Sequence, residues 1–467
     1  MLSKTQTAGL FLGIAGFILP LVVTFPGLSL AGHLAMSIFL LAAVFWMFET
    51  IPIYSTSILV ILLEVLLLSA EGLVFSSEGF VSGDYSPTAY TAFLSTLANP
   101  IIILFLGGFV LADASVKYNF DKYLTRKLLT PFGSNPKFII LGLMVVTGLL
   151  SAFMSNTATT AMMITVVIPI IAKMQPGDPA RISIALSIPF AANIGGMATP
   201  IGTPPNAVVI AALNQQGQAI TFSEWMMYAF PLTLIMLIFS WILLLKLYPP
   251  KTDRIEIDMK GKLMSTVSAR LLYVTFAVTV LLWVTESYHG IKSGIVALIP
   301  VAVLTLSNSF EKKDIRKLPW EVLWLIAGGI SLGIALKDTG LANWMVSLVS
   351  WDQLASLALL ATFGIVTLAM SNFLSNTVTA SLLIPIAISM AVSGIFEGMF
   401  GMLMVGLVVA LSASFAMVLP ISTPPNAVAI STGVIETKHM ALAGLVIGLV
   451  GVLLVIVFSF VYWPYIL

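Results

Sequence analysis

The tripeptide Ser155-Asn156-Thr157 returns as Ser375-Asn376-Thr377, and each copy is followed at the same distance by Thr-Pro-Pro-Asn, in a chain that is otherwise almost entirely apolar. Ser375 lies 220 residues after Ser155, and Thr423 lies 220 residues after Thr203, so the two signatures are duplicated without relative slip. Met197, Pro200, Ile201, Pro204, Pro205, Asn206, Ala207, Val208 and Ile210 reappear at that offset as Met417, Pro420, Ile421, Pro424, Pro425, Asn426, Ala427, Val428 and Ile430. A repeat of this length sets the architecture before any single motif is interpreted: the chain is two copies of one unit.

Composition says what solvent those units meet. Of 467 residues, 59% are hydrophobic and 9% charged, where a soluble domain carries roughly a quarter charged. The chain reads as an all-α polytopic membrane protein, because a crossing needs about 20 apolar residues and a helix satisfies its own backbone there. Alternation of the kind a membrane barrel needs is absent. The net charge of +1 offers no basic surface for nucleic acid. The absence of cysteine removes disulfides, thiolate catalysis and thiolate metal sites, and leaves the redox compartment open.

About eleven crossings are expected near 8–25, 33–51, 53–71, 100–116, 183–212, 223–247, 271–288, 292–310, 320–338, 400–433 and 439–465. Two further apolar pairs, 138–174 and 354–393, each carry a Ser-Asn-Thr at the middle and read as re-entrant helical hairpins. The first run has a formal cleavage site at Ser29-Leu30-Ala31, yet it is longer than the roughly 7 to 15 residues of a signal-peptide core. It reads as a retained first helix.

Charge orients this arrangement. From a cytoplasmic N-terminus, all of the 21 Lys and Arg residues except Lys292 and Lys337 fall on the cytoplasmic side, as the positive-inside rule requires. The C-terminus is then outside, and so is 72–99, with Glu71, Glu78 and Asp84 at or within it and no basic residue. The expected location is the cytoplasmic (inner) membrane. An odd number of crossings separates the hairpins, so the first opens to the cytoplasm and the second to the exterior. The halves, 1–247 and 271–467, are inverted repeats joined by a cytoplasmic linker, 248–270, that carries Pro249-Pro250. Transporters built this way place substrate and ion at the repeat interface, at interrupted helices.

The repeated motifs supply such interruptions. A Ser-Asn-Thr in hydrocarbon costs several kcal/mol unless its polar atoms find partners, and a single copy would serve as interhelical glue. Duplication argues for more, as do Ser151 and Ser371 one helical turn before each copy and Thr159 and Thr379 just after. In the other helix of each half, proline lacks an amide donor and clashes with the preceding turn. Pro200, Pro204 and Pro205, like Pro420, Pro424 and Pro425, therefore unwind the span. A merely kinked helix is the alternative, but unwound backbone at that depth belongs beside a cavity. The motifs hold no Lys, Arg or His. Hydroxyls, amides and carbonyls suit a hard cation such as Na⁺, and the ends of broken helices suit carboxylates. A doubly negative substrate without a basic residue needs neutralising, and bound Na⁺ is the economical candidate.

On these paired tips and paired Thr-Pro-Pro motifs the chain resembles, over essentially its whole length, the divalent anion/Na⁺ symporter family of INDY-type dicarboxylate transporters. The resemblance implies a homodimeric, elevator-type carrier. Its scaffold helices would be 1–136 and 271–352, and its hairpin and transport helices 137–247 and 353–467. It implies substrate contacts from Ser155, Asn156, Thr157, Thr203, Pro204, Ser375, Asn376, Thr377, Thr423 and Pro424. One sodium site would use Ser151, Ser155, Asn156 and Gly202, and a second Ser371, Leu374, Asn376 and Ser422. Gly202 and Ser422 break the internal symmetry; if the position offers its carbonyl the change is harmless, and Ser422 has a hydroxyl to add.

The expected function is sodium-coupled symport of C4-dicarboxylates such as succinate, malate or fumarate, with no organic cofactor. A sodium-independent exchanger of the same family is the alternative, in which a basic side chain near the tips is expected to replace the ion; none is present. An anion channel is a further alternative. Glu64, an acid inside the third span, reads as a buried structural partner rather than a proton carrier. Asp113, Glu286 and Glu49 lie towards span ends. His33, His289 and His439 are scattered without metal-ligand spacing. Gly329-Ile330-Ser331-Leu332-Gly333 matches a nucleophile elbow formally but falls mid-helix, so a serine hydrolase is not expected. No Walker A sequence is present to bring in ATP.

Overall fold

The computed structural model describes residues 3–75, 85–255, 263–348, 356–395 and 398–466. Glu78, Asp84, Lys260 and Lys262, and the boundary at 352 and 353, lie outside the described residues. The described chain is helical throughout, with one isolated bridge between Ser69 and Thr88. Nine helices among the described residues are long and apolar enough to cross a membrane, and two of these, Asn156–Lys173 and Ser356–Phe373, are hairpin arms. The crossing expected near 53–71 is the shorter helix Ile53–Leu68, and the one near 292–310 is split into Ser293–Val296 and Leu298–Leu306.

The repeat is visible element by element. Pro136–Ser151, Asn156–Lys173, Ala180–Gly196, Pro204–Gln215 and Phe222–Leu247 run in the order of Ser356–Phe373, Asn376–Val392, Gly398–Ser414, Pro424–Ile430 and Thr437–Val461. Local chemistry starts these helices. Asn135 accepts from the Lys137 amide at 3.0 Å and Pro136 occupies the first helical position, where its missing N–H costs nothing. Thr221 and Glu224 form a reciprocal capping box. The two halves interlock: Pro204–Gln215 packs on the second hairpin's arm Asn376–Val392, and Pro424–Ile430 packs on the first hairpin's arm Asn156–Lys173.

Outside the membrane, Asp178 ties the linker to the first hairpin. It accepts from the Lys251 amide at 3.1 Å, the Thr252 amide at 2.9 Å and the Thr252 hydroxyl. Burial works against its charge, but these hydrogen bonds prevail and hold the carboxyl below its ordinary range. Lys117, at the end of Pro100–Lys117, meets Asp314 at 2.6 Å and Glu311 at 3.5 Å. The pairing places 117 and the lysine-rich segment 312–317 on one face of the molecule, as the charge count expects.

Two short helices were not evident from apolar length. Phe120–Leu129 carries Asp121, Lys122, Arg126 and Lys127 around an apolar stripe, and Leu341–Ser347 is a two-turn segment. Neither has the apolar length that marks a crossing.

Candidate functional site

Each hairpin turns at its Ser-Asn-Thr. Ser155 and Ser375 are the N-caps of the outgoing arms, so Asn156 and Asn376 stand at the first helical position. The Ser375 hydroxyl accepts from the Val378 amide at 3.2 Å, whereas Ser155 makes no such cap. One turn before the first tip, the fully buried Ser151 Oγ lies 2.6 Å from Asn156 Oδ1 and 2.8 Å from the Ala192 carbonyl. At the second tip the equivalent Ser371 Oγ and Asn376 Oδ1 are buried without a hydrogen-bond partner. Unpaired buried oxygens are costly, and a cation is one ligand that would satisfy both. The unpaired oxygens at the second tip therefore fit a hard cation, whereas at the first tip the same two side chains are paired with each other; among the described residues no cluster of His, Asp or Glu offers another kind of site.

The proline motifs break their helices as expected. Ala180–Gly196 stops, residues 197–203 run irregularly, and Pro204–Gln215 resumes. Asn206 Nδ2 donates to the Thr199 carbonyl at 2.8 Å and the Gly196 carbonyl at 3.2 Å, and Asn426 Nδ2 to the Leu419 carbonyl at 3.0 Å and the Met417 carbonyl at 3.1 Å. The Asn that ends each Thr-Pro-Pro-Asn thus does what an unwound backbone in the membrane needs: it satisfies the freed carbonyls from within. Asn206→Ala and Asn426→Ala should each cost about 1–3 kcal/mol. Thermal unfolding in detergent checks this, with Asn214→Ala, on the same helix beyond the break, as the neutral comparison.

All ten expected substrate residues line one cavity of about 460 Å³, together with Gly202, Ser422, Asn193 and the wall residues Tyr54, Phe105, Phe109 and Leu325. The N-termini of Asn156–Lys173, Asn376–Val392 and Pro204–Gln215 end on it, with Pro424 and Pro425 closing the fourth side. Positive ends of helix dipoles favour an anion there, with amide hydrogens offered by the hairpin arms and none by Pro204, Pro205, Pro424 or Pro425. No Lys, Arg or His among the described residues lines the cavity. Of the expected sodium ligands, Ser155, Asn156, Gly202, Asn376 and Ser422 reach the cavity, Ser151 stands behind Asn156, and Ser371 and Leu374 sit outside its lining.

The Ser422 hydroxyl has a local occupation. It donates to the Asn372 carbonyl at 3.0 Å and accepts from the Leu419 amide at 3.1 Å. In the first half the Thr199 hydroxyl donates to the Ala152 carbonyl, which sits 220 residues before Asn372. Different side chains thus pin equivalent carbonyls. Two residues absent from the sequence reading also serve the site. Asn193 Nδ2 donates to Thr423 Oγ1 at 3.1 Å and lies 3.3 Å from Asn426 Oδ1, linking the halves, and Asn372 Oδ1 accepts from the Val418 amide at 3.0 Å.

Two residues set aside in the sequence meet each other. Glu64 is fully buried, and the Ser331 hydroxyl of Trp320–Asp338 donates to its carboxylate. Ser331 is itself fully buried within its helix, at a seam where Gly328 faces Ser57 and Gly329 faces Ser381. A hydroxyl so placed is a helix-packing contact, not an exposed nucleophile.

Residues 43–406 match the family described as Citrate transporter. The chain is 30% identical over 489 residues to the sodium-dependent dicarboxylate transporter SdcS of Staphylococcus saprophyticus, covering 97% of this chain and 90% of that protein. To the same-named protein of Staphylococcus aureus it is 30% identical over 505 residues, covering 100% of this chain and 92% of the relative. Two solved transporters share the fold. The Alcanivorax borkumensis YdaH transporter has a TM-score of 0.57 at 12% identity, over 88% of this chain and 98% of that one. Neisseria gonorrhoeae MtrF, titled among antimetabolite efflux pumps, has a TM-score of 0.57 at 11% identity, over 99% and 95%. With full-length identity to transporters, a matching family and duplicated tips around one cavity, the chain is a multi-pass membrane transporter and not an enzyme, and it belongs to the divalent anion/Na⁺ symporter family.

Proposed function

We propose that the protein is a secondary active carrier that moves C4-dicarboxylates such as succinate, malate or fumarate into the cell together with Na⁺. The observation that carries this reading is the chemistry of the cavity. Helix N-termini and hydroxyls face one space from two inverted halves, with no basic side chain among the described residues lining it. A dianion there has helix dipoles for partners, and Na⁺ at the two Asn-bearing tips supplies the remaining positive charge. Ser151, Ser155, Asn156 and the Gly202 carbonyl hold one ion in this reading, and Ser371, Asn376 and the carbonyls of Leu374 and Ser422 hold the other. The relatives' shared description as sodium-dependent dicarboxylate transporters supports the same choice.

The cavity's orientation supports alternating access. Pro319 and Glu321 line it from the end of Trp320–Asp338 that follows the lysine-rich segment 312–317, the side assigned to the cytoplasm by charge. On this reading the conformation faces inward, and the hairpins and broken helices travel as one body against the scaffold in a homodimer of the cytoplasmic membrane. Sodium-independent exchange would place a base at the tips. Purified protein in liposomes should accumulate succinate when Na⁺ is high outside, and not under K⁺ or a pH gradient alone. Equal uptake with and without the Na⁺ gradient would sink the symport.

A further inference from the structure

One side chain in the cavity lining carries a formal charge at neutral pH, and it is an acid. Glu321 lies in the first turn of Trp320–Asp338, is exposed, and forms no ion pair among the described residues. It lines the cavity beside Pro319, Val322 and Tyr54, on a helix outside both hairpins and both broken helices. The basic residues preceding it, Lys312, Lys313, Arg316 and Lys317, do not line the cavity. A fixed negative charge in a chamber otherwise prepared for an anion works against binding, and it does so in proportion to the ligand's charge.

We propose that Glu321 is a specificity-determining residue that sets the carrier's preference for dicarboxylate dianions over tricarboxylate trianions. The inference rests on the dicarboxylate reading above and decides what that reading leaves open, since the family is described by citrate and the relatives by dicarboxylates. A dianion has both charges answered by helix N-termini and co-bound cations at the tips. A third carboxylate adds a charge that has no positive partner in the lining and that Glu321 repels. For a separation taken as on the order of 10 Å in partly hydrated surroundings, Coulomb repulsion between two like unit charges corresponds to roughly three- to tenfold in affinity. Salt weakens such a term, since the screening length at physiological ionic strength is about 8 Å.

The test is equilibrium binding of fumarate and of citrate to detergent-solubilised protein in NaCl, at a pH where citrate is trianionic, with uptake of succinate by the wild type alongside. Glu321→Gln keeps the size and removes the charge, and should shift the citrate-to-fumarate affinity ratio roughly three- to tenfold towards citrate. Glu321→Asp keeps the charge and should hold the wild-type ratio. Raising ionic strength should narrow the difference between wild type and Glu321→Gln. A Glu321→Gln ratio equal to that of the wild type overturns the inference, and so does a Glu321→Asp ratio shifted as far as that of Glu321→Gln, which would make shape the cause. Wild-type protein that takes up no succinate in a Na⁺ gradient removes the dicarboxylate reading and this inference together, whereas sodium-driven uptake with an unmoved ratio removes only the role of Glu321.

Discussion

Asn156→Ala and Asn376→Ala are each expected to lower sodium-driven succinate uptake roughly a hundredfold, because a contact to a charged partner is worth about 1.5–3 kcal/mol and each Asn, in the proposed function, would serve an ion and the anion at once. The side chains occupy corresponding positions, the first residue of each hairpin's outgoing arm, and both line the cavity. Their settings differ: Asn156 Oδ1 has Ser151 at 2.6 Å, while Asn376 Oδ1 has no hydrogen-bond partner. Asn156→Ala should therefore also leave the Ser151 hydroxyl donating to the Ala192 carbonyl alone. Uptake against external Na⁺ tests the ion role of either residue: loss of one ion's contribution should lower the steepness of the sodium dependence before saturation. Either variant transporting at the wild-type rate would contradict the proposed placement of that Asn at an ion site.

Gly196→Ala is expected to be nearly as damaging, although residue 196 is absent from the cavity lining. A Cβ there would stand 2.5 Å from Asn156 Oδ1 and 2.9 Å from Nδ2. The amide is held by Ser151, so the clash pushes the tip out of register with the broken helix, and a displacement of about an ångström at a positioned group costs on the order of a hundredfold in rate. Gly177→Ala is the matched control, since an added Cβ there meets nothing within 4 Å. Uptake and size-exclusion profile, measured together, distinguish a misplaced tip from a misfolded chain: Gly196→Ala should elute as the wild type does and fail to transport.

What could be read from the sequence was whatever contrasted with its surroundings. The tips and the breaks stand out because Ser, Asn, Thr and paired prolines interrupt apolar runs, and because each occurs twice. Asn193 was invisible for the same reason inverted: its counterpart at the repeat offset is Ala413, and that of Asn372 is Ala152, so neither is duplicated. Both are polar residues that serve the repeat interface from one side only. Phe120–Leu129 escaped because a search for apolar length passes over a helix that alternates charge with Leu and Phe. Glu64 and Ser331 each looked isolated, since 267 residues separate them and no local pattern announces a long-range pair.

The interlocking of the halves has a consequence for how the chain is made. Pro204–Gln215 finds its packing partner, Asn376–Val392, only after the second half has been synthesised. At ordinary translation rates that delay is on the order of ten to thirty seconds. During it, the first broken helix sits in the bilayer beside an incomplete neighbour, where bare carbonyls would invite mispairing or extraction. Asn206 answers those carbonyls using atoms of the same half, so sealing the interruption does not depend on the second half. The same amide that shapes a transport site thereby gives the nascent first half a tolerable waiting state, and variants at Asn206 should show their defect first in biogenesis, as protein that is degraded before its second half arrives.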